Sequence, residues 1–150
     1  MTQLIFNRAD ELADWAEIQS PEIGDVGRPC EAIGIASNDG KLMAVAIYNN
    51  FTYYNGSKSK CYDVHMTFVA ATPRWATSGN IRAVLDYPFN QLGVKRMTSI
   101  INKDNKRARK LNEGVGFKLE GMHPFGNGGK GRSCTYGLYH NVVKERWFNG

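Results

Sequence analysis

The stretch "VHMTFVAATPRWATSGNIRAVLDYPFNQLGVKRM", residues Val64 to Met97, decides how the chain is read. It opens as a strand, passes through a turn of small residues and continues as a helix. Ile81, Val84, Leu85, Pro88 and Phe89 fall close to helical spacing, which predicts a helix over Ile81 to Gln91. Pro88 ends or kinks its last turn. Between strand and helix lie Ala76, Thr77, Ser78, Gly79 and Asn80, all short. A helix N-terminus carries unpaired N–H groups and a partial positive charge, so an open one binds phosphate. Gly79 therefore has two readings. It is a turn glycine selected for its backbone angles, or its missing side chain opens the helix end to a phosphate. A lone glycine does not choose between them, and no GxGxxG or Walker pattern is present.

Working outward, the first half reads as one helix followed by a strand meander. Leu4 to Phe6 is a short strand. Asn7 or Asp10 caps a helix to about Ile18, with Leu12, Trp15, Ala16 and Ile18 on its apolar side. Ser20 to Pro29 is a loop by composition. The strands "EAIGIAS", "LMAVAIYNNFTYY" and "CYDVHMTFVAA" are separated by the turns "NDGK" and "NGSKS". Downstream, "VKRMTSII" is a strand. "DNKRARKLNEGVGF" is a helix capped by Asp104 or Asn105 and stopped by Gly116. "FKLEGM" and "CTYGLYH" are strands around the glycine-rich loop "HPFGNGGKGRS". The order β-α-β-β-β-α-β-α-β-β is that of a mixed α/β domain.

At 150 residues the expectation is a single domain over 1–150. Hydrophobic content of 42% and charged content of 22% fit a soluble globular chain. No run approaches the length of a membrane span, and the first residues do not read as a signal peptide. Cys30, Cys61 and Cys134 are scattered without metal-ligand spacing, so no metal is expected and free thiols in a reducing cytoplasm are the simplest reading. A formal net charge of +5 favours anionic partners: a phosphorylated cofactor, nucleic acid or an acidic protein surface.

The succession of strand, small loop, helix, strand, helix and strand from about Val64 to Gly121 resembles the GNAT acetyltransferase superfamily, nearest its ribosomal-protein N-acetyltransferase branch. "NKDNKRARKLNEGVGFKLEG", Asn102 to Gly121, is the most specific piece, and "PRW…RAVLDYPFNQLG" looks like small GNAT-like proteins of tailed bacteriophages and proteobacteria. The resemblance implies a GNAT-like α/β (α+β) fold, with a mixed, mostly antiparallel central sheet flanked by helices. It also implies acetyl-CoA as co-substrate and an amine as acceptor, with a protein amine favoured.

Carried over residue by residue, the family's pyrophosphate loop falls on Ala76 to Ile81. Only Gly79 matches; Ala76 stands where a glutamine or arginine is usual and Ile81 where a small residue is. Backbone amides of Thr77, Ser78, Gly79 and Asn80 would reach the phosphates, with Arg74 or Arg82 supplying the missing charge. Val69, Ala70 and Ala71 match the strand end beside the pantetheine arm. Asn105 matches the asparagine at the second helix, and as a bare residue it reads equally as a helix cap. Arg107 and Arg109, with Lys103, Lys106 and Lys110, would hold the 3′-phosphate; as a bare charge run they read equally as a solvated helix face or a nucleic-acid patch.

Acetyl transfer needs a base for the ammonium proton and often an acid for the departing thiolate. Where many members carry a glutamate and a tyrosine, this chain has Ile100 and Asn112. Asn112 can donate a hydrogen bond to sulfur but no proton. Asp63 and His65, two apart and so on one strand face, are substitute candidates, with His65 suited to base work near pH 7. Both also read as an ordinary surface pair. Tyr136 and Tyr139 lie on the last strand, where Tyr139 is a candidate acid and both also read as core or surface tyrosines; Glu31 is a weaker candidate base. Two rival readings stay open. One is a GNAT fold with weakened catalysis that binds CoA or a host protein. The other is nucleic-acid binding through Lys103 to Lys110, which few interleaved aromatics support. Trp147 and Phe148 pack back on the domain or form a homodimer contact.

Overall fold

Alternating side chains place two apolar faces on one sheet, and both faces are covered where the sequence is most apolar. In the computed structural model, which describes residues 2–148, the strands are β1 (Thr2–Ile5), β2 (Glu31–Ser37), β3 (Leu42–Tyr53), β4 (Cys61–Ala70), β5 (Arg96–Asn102), β6 (Lys118–His123) and β7 (Ser133–Tyr139). They form a seven-stranded sheet in the order β1-β2-β3-β4-β5-β7-β6. All neighbours are antiparallel except β4 and β5, which are parallel. The helices are α1 (Ala9–Gln19), α2 (Ser78–Asp86), α3 (Lys106–Val115) and α4 (His140–Val143).

On β3, Ala44, Ala46 and Tyr48 turn to one face and join a core cluster that also holds Val84, Leu85, Phe89, Val115 and Val143. Val45 and Ile47 turn to the other face and meet Leu12, Ala13 and Ala16 of α1. This is why β3 reads as a continuous apolar run rather than an alternating one. Fully buried side chains such as Ile35, Ile47 and Leu85 each contribute about 1.5–3 kcal/mol. α1 covers β2 and β3. Over β5, β7 and β6 the same face carries no helix among the described residues, and Ile100 there is 55% exposed.

The main differences from the sequence reading fall at the two ends of α2 and after β7; elsewhere bounds shift by one or two residues, as for β1 and β5. α2 begins at Ser78, three residues earlier than the apolar spacing suggests, because the Thr77 hydroxyl caps it by accepting the Asn80 N–H at 3.2 Å. Its end widens into a π turn over Tyr87–Gln91, closed by the Leu92 N–H donating to the Tyr87 carbonyl at 2.9 Å. The wide turn accommodates Pro88, which has no N–H to give. The described residues also finish with α4 and a second π turn, Lys144–Phe148, too short for periodicity to mark. There the Trp147 indole N–H donates to the Val115 carbonyl at 2.9 Å, and Trp147 and Phe148 pack on the core. The tail thus packs back on the domain.

Candidate active site

β4 and β5 pair over only three positions: Asp63 with Arg96, Val64 with Met97 and His65 with Thr98. Beyond them β4 stays bonded to β3 as far as Ala70, and β5 stays bonded to β7 as far as Asn102. From Met66 and Ser99 onward the two strands part. Their facing edges present backbone N–H and C=O groups without a strand partner, and such groups are costly to leave unmet.

β4 runs directly into the turn that starts α2. Trp75, 5% exposed, anchors this turn with its ring 4.3 Å from that of Phe68. Buried Asn80 fastens it further: its amide donates to the Trp75 carbonyl at 2.8 Å and accepts from the Thr2 hydroxyl at 3.1 Å. The Ala76, Thr77 and Ile81 N–H groups donate to Pro73, Trp75 and Thr77 carbonyls, and the Asn80 N–H to the Thr77 hydroxyl. The Ser78 and Gly79 N–H groups, both on exposed residues, have no partner among the described residues. The predicted cradle of Thr77 to Asn80 therefore narrows to Ser78 and Gly79. Gly79 has no positive φ, and a Cβ there would meet nothing within 4 Å. Its backbone angles suit any residue, so what the glycine provides is an unobstructed helix end.

The remaining candidates around the opening divide. Arg74 and Ala76 are exposed, as are Ala70 and Ala71, and Ala71 lies just past the end of β4. Val69 is buried against α1. The Ile81 side chain packs on the core, away from the helix end. Asn105 caps α3 by accepting the Ala108 N–H at 3.1 Å. Arg107 is exposed. Arg109 is committed inside the fold: its Nε donates to the Tyr136 hydroxyl at 3.0 Å and its Nη1 to the Lys103 carbonyl at 3.2 Å. The Tyr136 hydroxyl in turn donates to Glu113 at 2.8 Å. Burial pushes the Tyr136 hydroxyl upward in pKa. Asn112, 5% exposed on α3, holds its amide Nδ2 buried with no hydrogen-bond partner among the described residues.

At the vertex, where β4 and β5 separate, the side chains of Asp63, His65, Arg96 and Thr98 share the face left bare by α1. Arg96 grips Glu120 with both guanidinium nitrogens, at 2.6 and 3.0 Å, and also donates to the Thr98 hydroxyl at 3.1 Å. Thr98 donates to Asp63 at 3.1 Å, and Tyr139 donates to Glu120 at 2.5 Å. Gly137, opposite Thr98 on β7, makes this contact feasible: a Cβ there would lie 2.5 Å from the Glu120 carboxylate. The Arg96 bond holds the Glu120 carboxyl below its ordinary range, and the bond to Glu120 pushes the Tyr139 hydroxyl above its own. Asp63 and Tyr139 are thus joined to one four-strand network. His65 stands outside it, with Nδ1 3.4 Å from the Asn50 amide nitrogen. Glu31 lies apart, in a groove of 540 Å³ between α2 and β2, on the sheet face opposite His65.

Arg96, Glu120 and Gly137 are not among the candidates read from sequence. Arg96 and Thr98 alternate on one strand, but their link to Glu120 depends on an irregular register between Leu119 and Gly121 that no local pattern marks.

No protein-family model and no curated protein matches the sequence. Solved structures do match its shape. The ribosomal-protein-S5-alanine acetyltransferase of Vibrio fischeri superposes with a TM-score of 0.70 at 11% identity, over 97% of this chain and 94% of that one. The spermidine/spermine N-acetyltransferase SpeG of Vibrio cholerae, solved in mutant forms, gives 0.72 at 14% identity, over 97% of each chain. The putative acetyltransferase yncA of Salmonella typhimurium, solved with its cofactor acetyl-CoA, gives 0.63 at 14%, over 93% of this chain and 94% of that one. A mostly antiparallel seven-stranded sheet opened between β4 and β5, with helices on both faces, has the fold of the GNAT acetyltransferases.

Proposed function

We propose that this protein transfers an acetyl group from acetyl-CoA to an amine, by direct attack in a ternary complex. The observation that carries the reading is the parting of β4 and β5 after Thr98, with two unpaired N–H groups at the start of α2. Ser78 and Gly79 would hold the phosphates, and the free edges of Met66–Ala70 and Ser99–Asn102 would hold the pantetheine amides. Acetyl-CoA supplies an activated thioester. The amine nitrogen forms the new C–N bond as the C–S bond breaks.

His65 is the candidate base for the ammonium proton, taking it in exchange for its contact with Asn50. The unpaired Asn112 N–H is the candidate donor to the departing sulfur. With Asp63 and Tyr139 tied to Arg96 and Glu120, most of the rate would come from positioning and carbonyl polarisation. A protein amine remains the favoured acceptor, in the cytoplasm of a bacterium or a phage-infected host, and no metal takes part.

The test is the melting temperature with and without acetyl-CoA, alongside turnover with peptide amines and spermidine. A ligand that binds only the folded state adds about 2.7 kcal/mol at a hundred times its dissociation constant. A rise that Gly79→Asp abolishes, with peptide acetylation that His65→Gln slows about a hundredfold or more, supports the reading. No rise overturns it. A rise without turnover of any amine leaves a CoA-binding module.

A further inference from the structure

At the opposite end of β4 from the strand opening, the chain builds a second concave surface. Tyr53, Tyr54, Tyr62 and Tyr139 surround an opening of 600 Å³ together with Lys95 and Arg96. Tyr62 and Ala70 lie roughly 26 Å apart along β4 at ~3.3 Å per residue, so this surface is remote from the start of α2. Tyr53, Tyr54 and Tyr62 are 40%, 43% and 37% exposed. The hydroxyls of Tyr136 and Tyr139 are bonded within the fold, whereas the hydroxyls of those three make no hydrogen bond among the described residues. The rings of Tyr54 and Tyr62 lean together with centroids 5.2 Å apart. Aromatic side chains are usually drawn into the core, so three left half-open around one hollow form a stacking surface.

The charges around it define the ligand. The Arg96 fork is filled by Glu120. Lys95 is exposed and has no acidic partner among the described residues. Its backbone is fixed from both sides, its N–H donating to the Tyr62 carbonyl and its carbonyl accepting from the His140 N–H, each at 2.9 Å. The hairpin that carries Tyr54 adds exposed Lys58 and Lys60. Among the described residues no unpaired carboxylate lines the opening, so a cationic amine finds no counter-charge from them there. Flat rings recognise a flat ring. Ammonium groups act as point charges that suit phosphate, whereas carboxylates favour the guanidinium fork that is already occupied.

We propose that this pocket binds a nucleotide, with its base stacked on Tyr62, the ring of Tyr54, inclined by 59° to that of Tyr62, against the edge of the base, and its phosphate beside Lys95. The pocket borders the vertex network through Arg96 and Tyr139, but none of Tyr54, Tyr62 and Lys95 belongs to the strand opening or the start of α2, so the proposal does not rest on the acetyl-transfer reading.

The test is calorimetric titration of the whole protein with AMP, adenosine, inorganic phosphate, spermidine and a short oligoadenylate. Saturable AMP binding is expected, with adenosine and phosphate each at least about tenfold weaker. Tyr62→Ala should weaken AMP by about 5- to 150-fold, the range for one stacked base. Tyr62→Phe, which keeps the ring, should retain it. Lys95→Gln, at an exposed position, should lower the salt dependence by about one charge and tests the site even where Tyr62→Ala does not fold. Oligoadenylate binding tighter than AMP assigns the site to a single strand, and equal affinities assign it to a free nucleotide. The proposal is overturned by absence of saturable AMP binding, by AMP affinity unchanged in folded Tyr62→Ala, or by displacement with spermidine. Loss of AMP binding in Gly79→Asp also overturns it, by placing the nucleotide at α2.

Discussion

Asn112 holds a buried donor with no acceptor among the described residues, and such a group costs about 1–3 kcal/mol. Replacing it with an apolar residue of similar shape removes that cost. Asn112→Leu is therefore expected to leave stability unchanged or to raise it, while turnover of acetyl-CoA falls. Denaturant melts and steady-state rates on the same samples check both halves. A merely structural asparagine would lose stability and leave the rate per folded molecule alone. Glu120 offers a second residue-level test. Its folded pKa is depressed, so its stabilisation is present above the unfolded value, about 4.3, and is lost as pH falls through the folded value. Acid titration of the melting temperature should show the parent losing more than Glu120→Gln as pH falls from about 5 toward 3, because only the parent has that carboxylate to protonate. At neutral pH the substitution should cost on the order of 1 kcal/mol, the upper end for an exposed pair, because Arg96 holds it with two bonds.

At the scale of elements, α2 depends on one hydroxyl. Thr77 caps the helix and, by engaging the Asn80 N–H, leaves Ser78 and Gly79 as the unpaired amides. Thr77→Ala should cost about 1 kcal/mol in a urea melt. Thr77→Ser, which keeps the oxygen, should restore most of it. The existence and order of the elements are legible from alternation and turn chemistry: the Asp-Gly turn before Leu42 and the meander to β4 need only local rules. The start of α2 is not, because the apolar spacing begins at Ile81, whereas a cap is set by a polar oxygen three residues ahead of its target. The small residues at the opening are legible too, but not which amides remain unpaired. That depends on Asn80 reaching the Trp75 carbonyl and Thr2 in β1, far away in sequence. The same limit hides Glu120, which reaches Arg96 only because Gly137 leaves room on a strand between them.

For the whole molecule, the sheet is two blocks, β1–β4 and β5–β7, joined through three residue pairs. Hydrogen exchange should report this division. Amides of Met66–Ala70 and Ser99–Asn102 that face the gap should exchange quickly, while their neighbours bonded to β3 and β7 exchange slowly. Adding acetyl-CoA should slow the first set by about tenfold or more when the ligand is well above its dissociation constant. Equal protection along both edges without ligand would mean that the strands close up in solution.

The gap also follows from connectivity. Where a hairpin joins two strands, as between β2 and β3, β3 and β4, or β6 and β7, the turn ties the strand ends together at one side of the sheet. β4 and β5 are joined instead by a long crossover that carries α2 over the sheet, as parallel strands require. No turn ties their ends, so the two strands are free to diverge at no cost in chain length. The one parallel pair in an otherwise antiparallel sheet is what allows it to stand open, and because the crossover departs from the end of β4, the start of α2 is delivered to the mouth of that opening.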